Sequence, residues 1–422
     1  MPEQPLIAPE ARDTRFFYGY VVVAAALLID LLLAGVHFTF GIFFKPVSGE
    51  FGWTRAATSG AFTFYSIFHG ALFILTGRIS DRFGPRPMLV ASGILFGLGF
   101  LLMSTISSIW QLYLYYGVLI AIGMSGGFVP LMSTVARWFV KRRGLMTGLV
   151  LGGGGVGQAL LPPITTWLIS TYRWRTAYVI VGVVVLILVI ALAMFLRRDP
   201  SQVGQLPHGS QDVVGEGVVP SLPRGLTLRQ AASTRQFWQY CLAIVLAQFG
   251  MGAMVVHAAP HGIDLGMSPA AAASVVTTLA GVGVGARVVL GAVVDRVGGK
   301  RVMASMCLLM ALAFSGIATT GQVRGLYLFA ALTGLGFGGF VSSMSPLAAQ
   351  LFGLTSHGVI FGVATFGATI GGGIGPLVAG AIFDSTGSYS TAFLLSAVLG
   401  LLAFAVVLFL KPADGRLTSV SG

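Results

Sequence analysis

Apolar residues fall along this chain in long, nearly uncharged runs separated by short polar breaks. A membrane-crossing helix needs about 20 such residues. Runs near 17–43, 58–77, 88–107, 111–136, 145–170 and 176–196 meet that length, as do 237–262, 269–294, 302–321, 325–351, 358–383 and 389–410. The pattern predicts an all-α polytopic membrane protein of twelve transmembrane helices. The widest break, 197–236, carries Pro, Gly, Ser and five arginines and reads as a solvated linker. It divides the chain into 1–196, the linker 197–236, and 237–422, with six helices on either side. The first run starts at Phe16 with no small-residue cleavage site, so it is expected to remain as a spanning helix rather than to be removed as a signal peptide.

Composition agrees and changes how the charge is read. Of 422 residues, 55% are hydrophobic and 9% charged, with a mean hydropathy of +0.88, more apolar surface than a water-soluble core can hide. A net charge of +12 would suggest nucleic acid in a soluble protein, but the basic residues lie in short loops between apolar runs. With a cytoplasmic N-terminus, 19 of the 25 Lys and Arg residues fall on the inner side and 5 on the outer, leaving Arg287 within the membrane. That bias predicts both termini in the cytoplasm; the location expected is the plasma membrane or an inner membrane. Cys241 and Cys307 lie inside apolar runs and read as small buried hydrophobes, so neither a disulfide framework nor a metal site is expected, and no cofactor.

The two halves repeat one another. Gly77-Arg-Ile-Ser-Asp81-Arg82-Phe-Gly84-Pro-Arg86 recurs as Gly291-Ala-Val-Val-Asp295-Arg296-Val-Gly298-Gly-Lys300-Arg301, at an offset of 214 residues. Gly144, Gly148 and Pro162 match Gly358, Gly362 and Pro376 at the same offset, the mark of a duplicated transporter. The repeated segment, read as the loop between the second and third helix of each half, resembles the signature loop of the major facilitator superfamily, over about 17–411. The resemblance implies two pseudo-symmetric six-helix bundles, with helices 1, 4, 7 and 10 around a central cavity and 2, 5, 8 and 11 closing its sides. It also implies that Asp81, Arg82, Asp295 and Arg296 form a conformational latch, the carboxylates accepting hydrogen bonds from helix ends and pairing with nearby arginines. The alternative is that these charges only orient the loops.

Phe17-Tyr18-Gly19-Tyr20, and Trp138-Phe-Val-Lys141-Arg142-Arg143-Gly144-Leu-Met-Thr-Gly148, are similar to signatures of monocarboxylate transporters and their bacterial relatives. Arg287-x-x-x-Gly291 also resembles that family, in which the arginine binds the substrate carboxylate. Two positions depart from the animal members: Gly283 stands where they carry an aspartate, and His37-Phe38 where they carry a lysine. Their proton relay therefore does not transfer as it stands.

Ionisable groups inside a bilayer are functional candidates, because each costs about 2.5–3.5 kcal/mol there. Asp30 and Arg287 qualify, lying about 18 Å along the helix from Tyr18 and about 12 Å from Asp295. The guanidinium of Arg287 matches a carboxylate bidentately, or pairs structurally with Asp30. Asp30, His257 and His69 are the proton-coupling candidates, each with a packing role as the alternative. Gln158, Gln248 and Phe366 are candidates to line the substrate site; the glutamines also suit interhelical hydrogen bonding, and the phenylalanine packing. The Gly152–Gly155 run lacks the Lys-Ser/Thr of a phosphate loop and suits close helix packing.

These readings converge on a non-enzymatic secondary transporter of small monocarboxylates, lactate-like or pyruvate-like, moved with a proton. Organic-anion exchange of the oxalate/formate type is the alternative. Drug export is disfavoured by the absence of a Gly-Pro-x-x-Gly-Gly pattern in helix 5, sugar export by the few polar residues at cavity depth, and a sensor role by the short linker and tail. The partners expected are the carboxylate, the proton and the lipid bilayer, with no nucleic acid. The topology is directly testable: a cysteine at Lys300 should react with an impermeant thiol reagent only from the cytoplasmic side of sealed vesicles, and one at Arg324 only from the other side.

Overall fold

The computed structural model describes residues 16–53, 55–209 and 225–411. Part of the expected linker, 210–224, lies outside the described residues. Among the described residues eleven helical runs are long and apolar enough to span a bilayer, and the 51-residue run Arg143–Ala193 is two spans joined at Arg173 (φ 68°, ψ 160°), which makes twelve. They are α1 (Gly19–Phe51, with a turn at Phe38 and Thr39), α2 (Arg55–Phe83), α3 (Pro85–Met103), α4 (Ile109–Trp138), α5 (143–172), α6 (174–193), α7 (Arg235–Asp264), α8 (Pro269–Val297), α9 (Gly299–Thr319), α10 (Val323–Phe352), α11 (His357–Thr386) and α12 (Ser390–Leu408). Helices are what the solvent dictates: a backbone N–H or C=O in hydrocarbon has no water to bond, so each must be satisfied within its own segment.

In the first half α1 packs on α5, α3 on α6 and α2 on α4; in the second, α7 packs on α11, α8 on α10 and α9 on α12. The halves meet mainly along two seams, α5 against α8 and α2 against α11. Lipid removes the hydrophobic drive to associate, so these seams depend on close approach through small residues. Gly144 lies on the backbone of Gly291, Gly148 on that of Arg287, Gly77 on that of Gly358, and Gly362 on that of Phe73. Glycines related by the repeat thus occupy equivalent places in the two seams.

Two expectations about local structure change. The signature carboxylates are not in loops: Asp81 and Asp295 fall in the last turns of α2 and α8, and the chain turns at Gly84 (φ 86°) and Gly298 (φ 94°). A helix holds each carboxylate more firmly than a loop would against the helix end it must reach. The expected solvated linker is partly bound at both ends. The His208 carbonyl accepts from Val140 and Lys141 N–H (3.0 Å each), while Gly225 N–H donates to Thr355 Oγ1 (2.8 Å) and Leu226 N–H to the Phe352 carbonyl (2.8 Å).

At the linker side of the membrane each seam ends in a carboxylate that caps the opposite half. Asp81 accepts from Gly358 N–H (3.0 Å) and Val359 N–H (2.9 Å) in the first turn of α11. Asp295 accepts from Gly144 N–H (2.6 Å) and Leu145 N–H (2.8 Å) in the first turn of α5. A helix N-terminus offers unpaired donors and a positive dipole end, so a carboxylate there is stabilised twice over. Arg137 of α4 pairs with Asp81 (3.1 Å) and with Asp199 at the start of the linker (3.6 Å). Arg82 and Arg296, expected in the latch, are exposed, with Arg82 lying over the Phe83 ring; the arginine that engages Asp81 is Arg137.

The seams predict an asymmetry among glycine substitutions. Gly291→Val drives a side chain into the backbone of Gly144 and should lower stability by about 1–3 kcal/mol, seen as a lower midpoint of thermal unfolding in detergent. Gly373→Ala, with nothing within 4 Å of the added carbon, should leave the midpoint nearly unchanged.

Candidate functional site

The arginine that the sequence places inside an apolar run, Arg287, sits on a seam. Arg287 occupies the middle of α8, where its carbonyl accepts from Ser342 Oγ of α10 (2.8 Å), and its own Nη1 donates across the halves to the Leu151 carbonyl of α5 (2.9 Å). Leu151 can accept that bond because the glycine run beside it leaves the α5 surface bare: Gly148 and Gly152 both lie against α8, on the Arg287 carbonyl and the Val288 side chain. The guanidinium is only partly engaged, since Nε has no hydrogen-bond partner among the described residues. An arginine fork has five N–H donors, so capacity remains for an anion.

Asp30 approaches the same stretch of α5 from α1. It is 7% exposed, and its carboxylate rests against Gly154, while Gly153 and Gly157 lie on the backbone of Leu27 and Leu31. The Gly152–Gly155 run therefore has Asp30 on one flank and the helix of Arg287 on the other. The two charges attract one another, yet among the described residues no ion pair within 4.0 Å joins them. The arginine is bonded to a carbonyl that a competing anion can replace, and its nearest opposite charge stands off.

Gly283, one turn before Arg287, has a structural reason to be glycine. It faces α10, where an added Cβ would come within 3.3 Å of the Gly334 carbonyl, and Gly338 packs back onto Gly283 and Arg287. A side chain there would need α10 to give by a few tenths of an ångström.

The remaining candidates are dispersed. Gln248 on α7 is partly buried beside Gly372 of α11, with its side-chain Oε1 unpartnered among the described residues. Gln158 on α5 and Phe366 on α11 are partly buried. His257 is held inside the second half by both ring nitrogens, Nδ1 to Tyr389 OH (3.2 Å) and Nε2 to the Pro376 carbonyl (3.0 Å). His69 is stacked on Tyr65 (5.3 Å between centroids) in the interior of the first half. Arg137 was missed in the sequence: it ends α4 among many loop arginines, and only the folded chain shows it between Asp81 and Asp199.

Known proteins share this architecture. The human Monocarboxylate transporter 11 is 30% identical over 418 residues, covering 90% of this chain and 80% of that protein. The Bos taurus Monocarboxylate transporter 13 is 30% identical over 405 residues (94% and 89% covered), and the Oxalate:formate antiporter of Oxalobacter formigenes 29% over 419 (95% and 93%). Among solved structures, the E. coli fucose:proton symporter aligns over 93% of this chain and 99% of its own with a TM-score of 0.70 at 17% identity, and the proton:xylose symporter XylE over 94% and 97% with a TM-score of 0.71 at 16%. The family profile matches residues 26–325 and 262–421, and with the duplicated capping carboxylates, the twelve spans and these relatives, the chain belongs to the Major Facilitator Superfamily, as a multi-pass membrane transporter related to the monocarboxylate transporters and the oxalate:formate antiporter.

Proposed function

We propose that this transporter carries small monocarboxylates, lactate-like or pyruvate-like, together with a proton across the plasma or inner membrane, with both termini in the cytoplasm. The observation that carries the reading is the incompletely bonded guanidinium of Arg287, held at the seam of the two halves by a carbonyl of the opposite half. A substrate carboxylate offers that fork a better acceptor than a single amide oxygen. Replacing the Leu151 bond by substrate frees α8 from α5 at mid-membrane, which links binding to the rocking of one half against the other. Gln158, Gln248 and Phe366 are proposed to line the space around the anion.

Asp30 is the first proton carrier to consider. It is buried beside the arginine, so neutralising it when the substrate anion arrives keeps the charge of the site constant. His69 and His257 remain alternatives, the latter with both nitrogens already engaged. Asp81 and Asp295 act as the latch of the state closed on the linker side, because their bonds must break before α5 and α11 can leave α8 and α2. Exchange of organic anions is the second reading, favoured by the similarity to the Oxalate:formate antiporter over 95% of the chain.

Uptake of labelled lactate, pyruvate, formate and oxalate into proteoliposomes tests both readings. Acceleration by an inward proton gradient supports symport; a requirement for internal anion supports exchange; no uptake of any carboxylate by folded protein refutes the substrate class. Arg287→Ala should raise KM on the order of 100-fold, the loss expected for a charge-assisted pair, whereas Arg287→Lys keeps the charge, loses the fork and should fall between. Asp30→Asn should abolish acceleration by the gradient and retain exchange of labelled for unlabelled substrate. Gradient-driven uptake by Asp30→Asn at the rate of the intact chain would transfer the proton to another group.

A further inference from the structure

The glycines of α5 that face α1 are of two kinds. A Cβ at Gly153 would come within 2.6 Å of the Leu27 carbonyl oxygen of α1, and one at Gly157 would fall on the Leu31 carbonyl. Only a separation of the two helices would make room for either. Gly154 is different. A Cβ there would meet the Asp30 carboxylate, its Oδ2 first and its Cγ at 3.0 Å, whereas the next atom of α1, Ala34 Cβ, is 3.4 Å away, an ordinary contact. The obstacle is the end of one side chain, which can turn aside, and not the path of a helix.

The second half supplies the comparison. At the offset of 214 residues Gly157 and Leu31 correspond to Gly371 and Val245, and Gly371 lies on the Val245 carbonyl of α7 as Gly157 lies on that of Leu31. The α1–α5 and α7–α11 contacts are packed alike at this point. Asp30 corresponds to Ile244, and Gly154 to Ala368, which is 6% exposed. Where no carboxylate faces the helix, a methyl group occupies the position. Close packing of the helices therefore does not require glycine at 154; the carboxylate does.

Both charges rest on one turn of α5. Arg287 Nη1 donates to the Leu151 carbonyl (2.9 Å), and Asp30 accepts from the N–H of Gly154, three residues further on. The opposite charges attract one another, yet each is seated on a neutral backbone group. Direct pairing in a low-dielectric interior is strong, and it would occupy the guanidinium before any substrate arrived. We propose that Gly154 is a positioning residue that acts through Asp30: by leaving room for the carboxylate on α5 it keeps Asp30 off Arg287, so that the guanidinium stays available to the substrate anion. The proposal rests on the carboxylate reading of Arg287 and adds what prevents the site from neutralising itself. Gly154→Ala turns the carboxylate off its seat, and the arginine takes it.

The test is a cycle of Gly154→Ala, Asp30→Asn and the two combined, with Gly153→Ala as the packing control. The readout is exchange of labelled for unlabelled lactate, pyruvate, formate or oxalate in proteoliposomes, using those acids that the intact chain carries. Gly154→Ala should raise the exchange KM about tenfold, because substrate must then displace Asp30 from the arginine. Its thermal midpoint should stay well above that of Gly153→Ala, whose added carbon meets backbone. Adding Asp30→Asn should bring KM back to within about twofold of Asp30→Asn alone, since a neutral amide does not hold a guanidinium as a carboxylate does. A rise in KM that persists in the double variant overturns the proposal and marks Gly154 as helix packing, as does a midpoint as low as that of Gly153→Ala. A KM for Gly154→Ala equal to that of the intact chain overturns it as well, and leaves the reading of Arg287 standing. Absence of transport of all four acids by the folded intact chain overturns the reading of Arg287 and this proposal with it.

Discussion

Two halves that must separate and rejoin inside a bilayer cannot be held by apolar burial, because lipid is as good a solvent for their surfaces as they are for each other. What remains is close approach of backbones and a small number of polar bonds. The seams of this protein are made that way, with glycine opposite glycine between Gly144 and Gly291 and between Gly77 and Gly358. Dispersion across a backbone contact falls off steeply with separation, so the seam is firm when closed and loses its attraction when opened by a short distance. The carboxylates of Asp81 and Asp295 sit at the aqueous ends of the seams, where water can replace their helix-end donors.

The rest of the site follows from that geometry. Bare glycine surface on α5 brings α1 and α8 close to it, and the side chains placed beside it are Asp30 and Arg287. Arg287 is bonded to the opposite half, so its hydrogen bond is one of those that hold the seam closed.

The duplication is kept along the seams and lost at the two buried charges between them. Counting back 214 residues from Arg287 reaches Phe73, part of the apolar plug between α2, α4 and α11; counting forward from Asp30 reaches Ile244, buried in α7. The capping carboxylates are less symmetric in their ion pairs than the sequence repeat suggests. Arg137 ties Asp81 to Asp199 at the start of the linker, whereas the ion pairs among the described residues include none at Asp295. The start of the linker is thereby tied to the Asp81 end of its seam by an ion pair.

What the sequence determined by itself was whatever depends on solvent and on local pattern. The twelve spans follow from the length of apolar runs, the repeat from a constant offset, and the prominence of Asp30 and Arg287 from the rarity of charge within those runs. Boundaries were less legible: α2 and α8 extend through their signature carboxylates, because helix continues into the interface until a glycine at positive φ ends it. Partnerships were decided only by the tertiary structure. That Arg137 rather than Arg82 meets Asp81, that both nitrogens of His257 are occupied, that Arg287 bonds a carbonyl instead of Asp30, and that Asp30 rests against Gly154 all require knowing which helix faces lie together. Spans with apolar residues all round carry no stripe to reveal the buried face, so helix orientation, and the chemistry that depends on it, is set by packing between segments far apart in the chain.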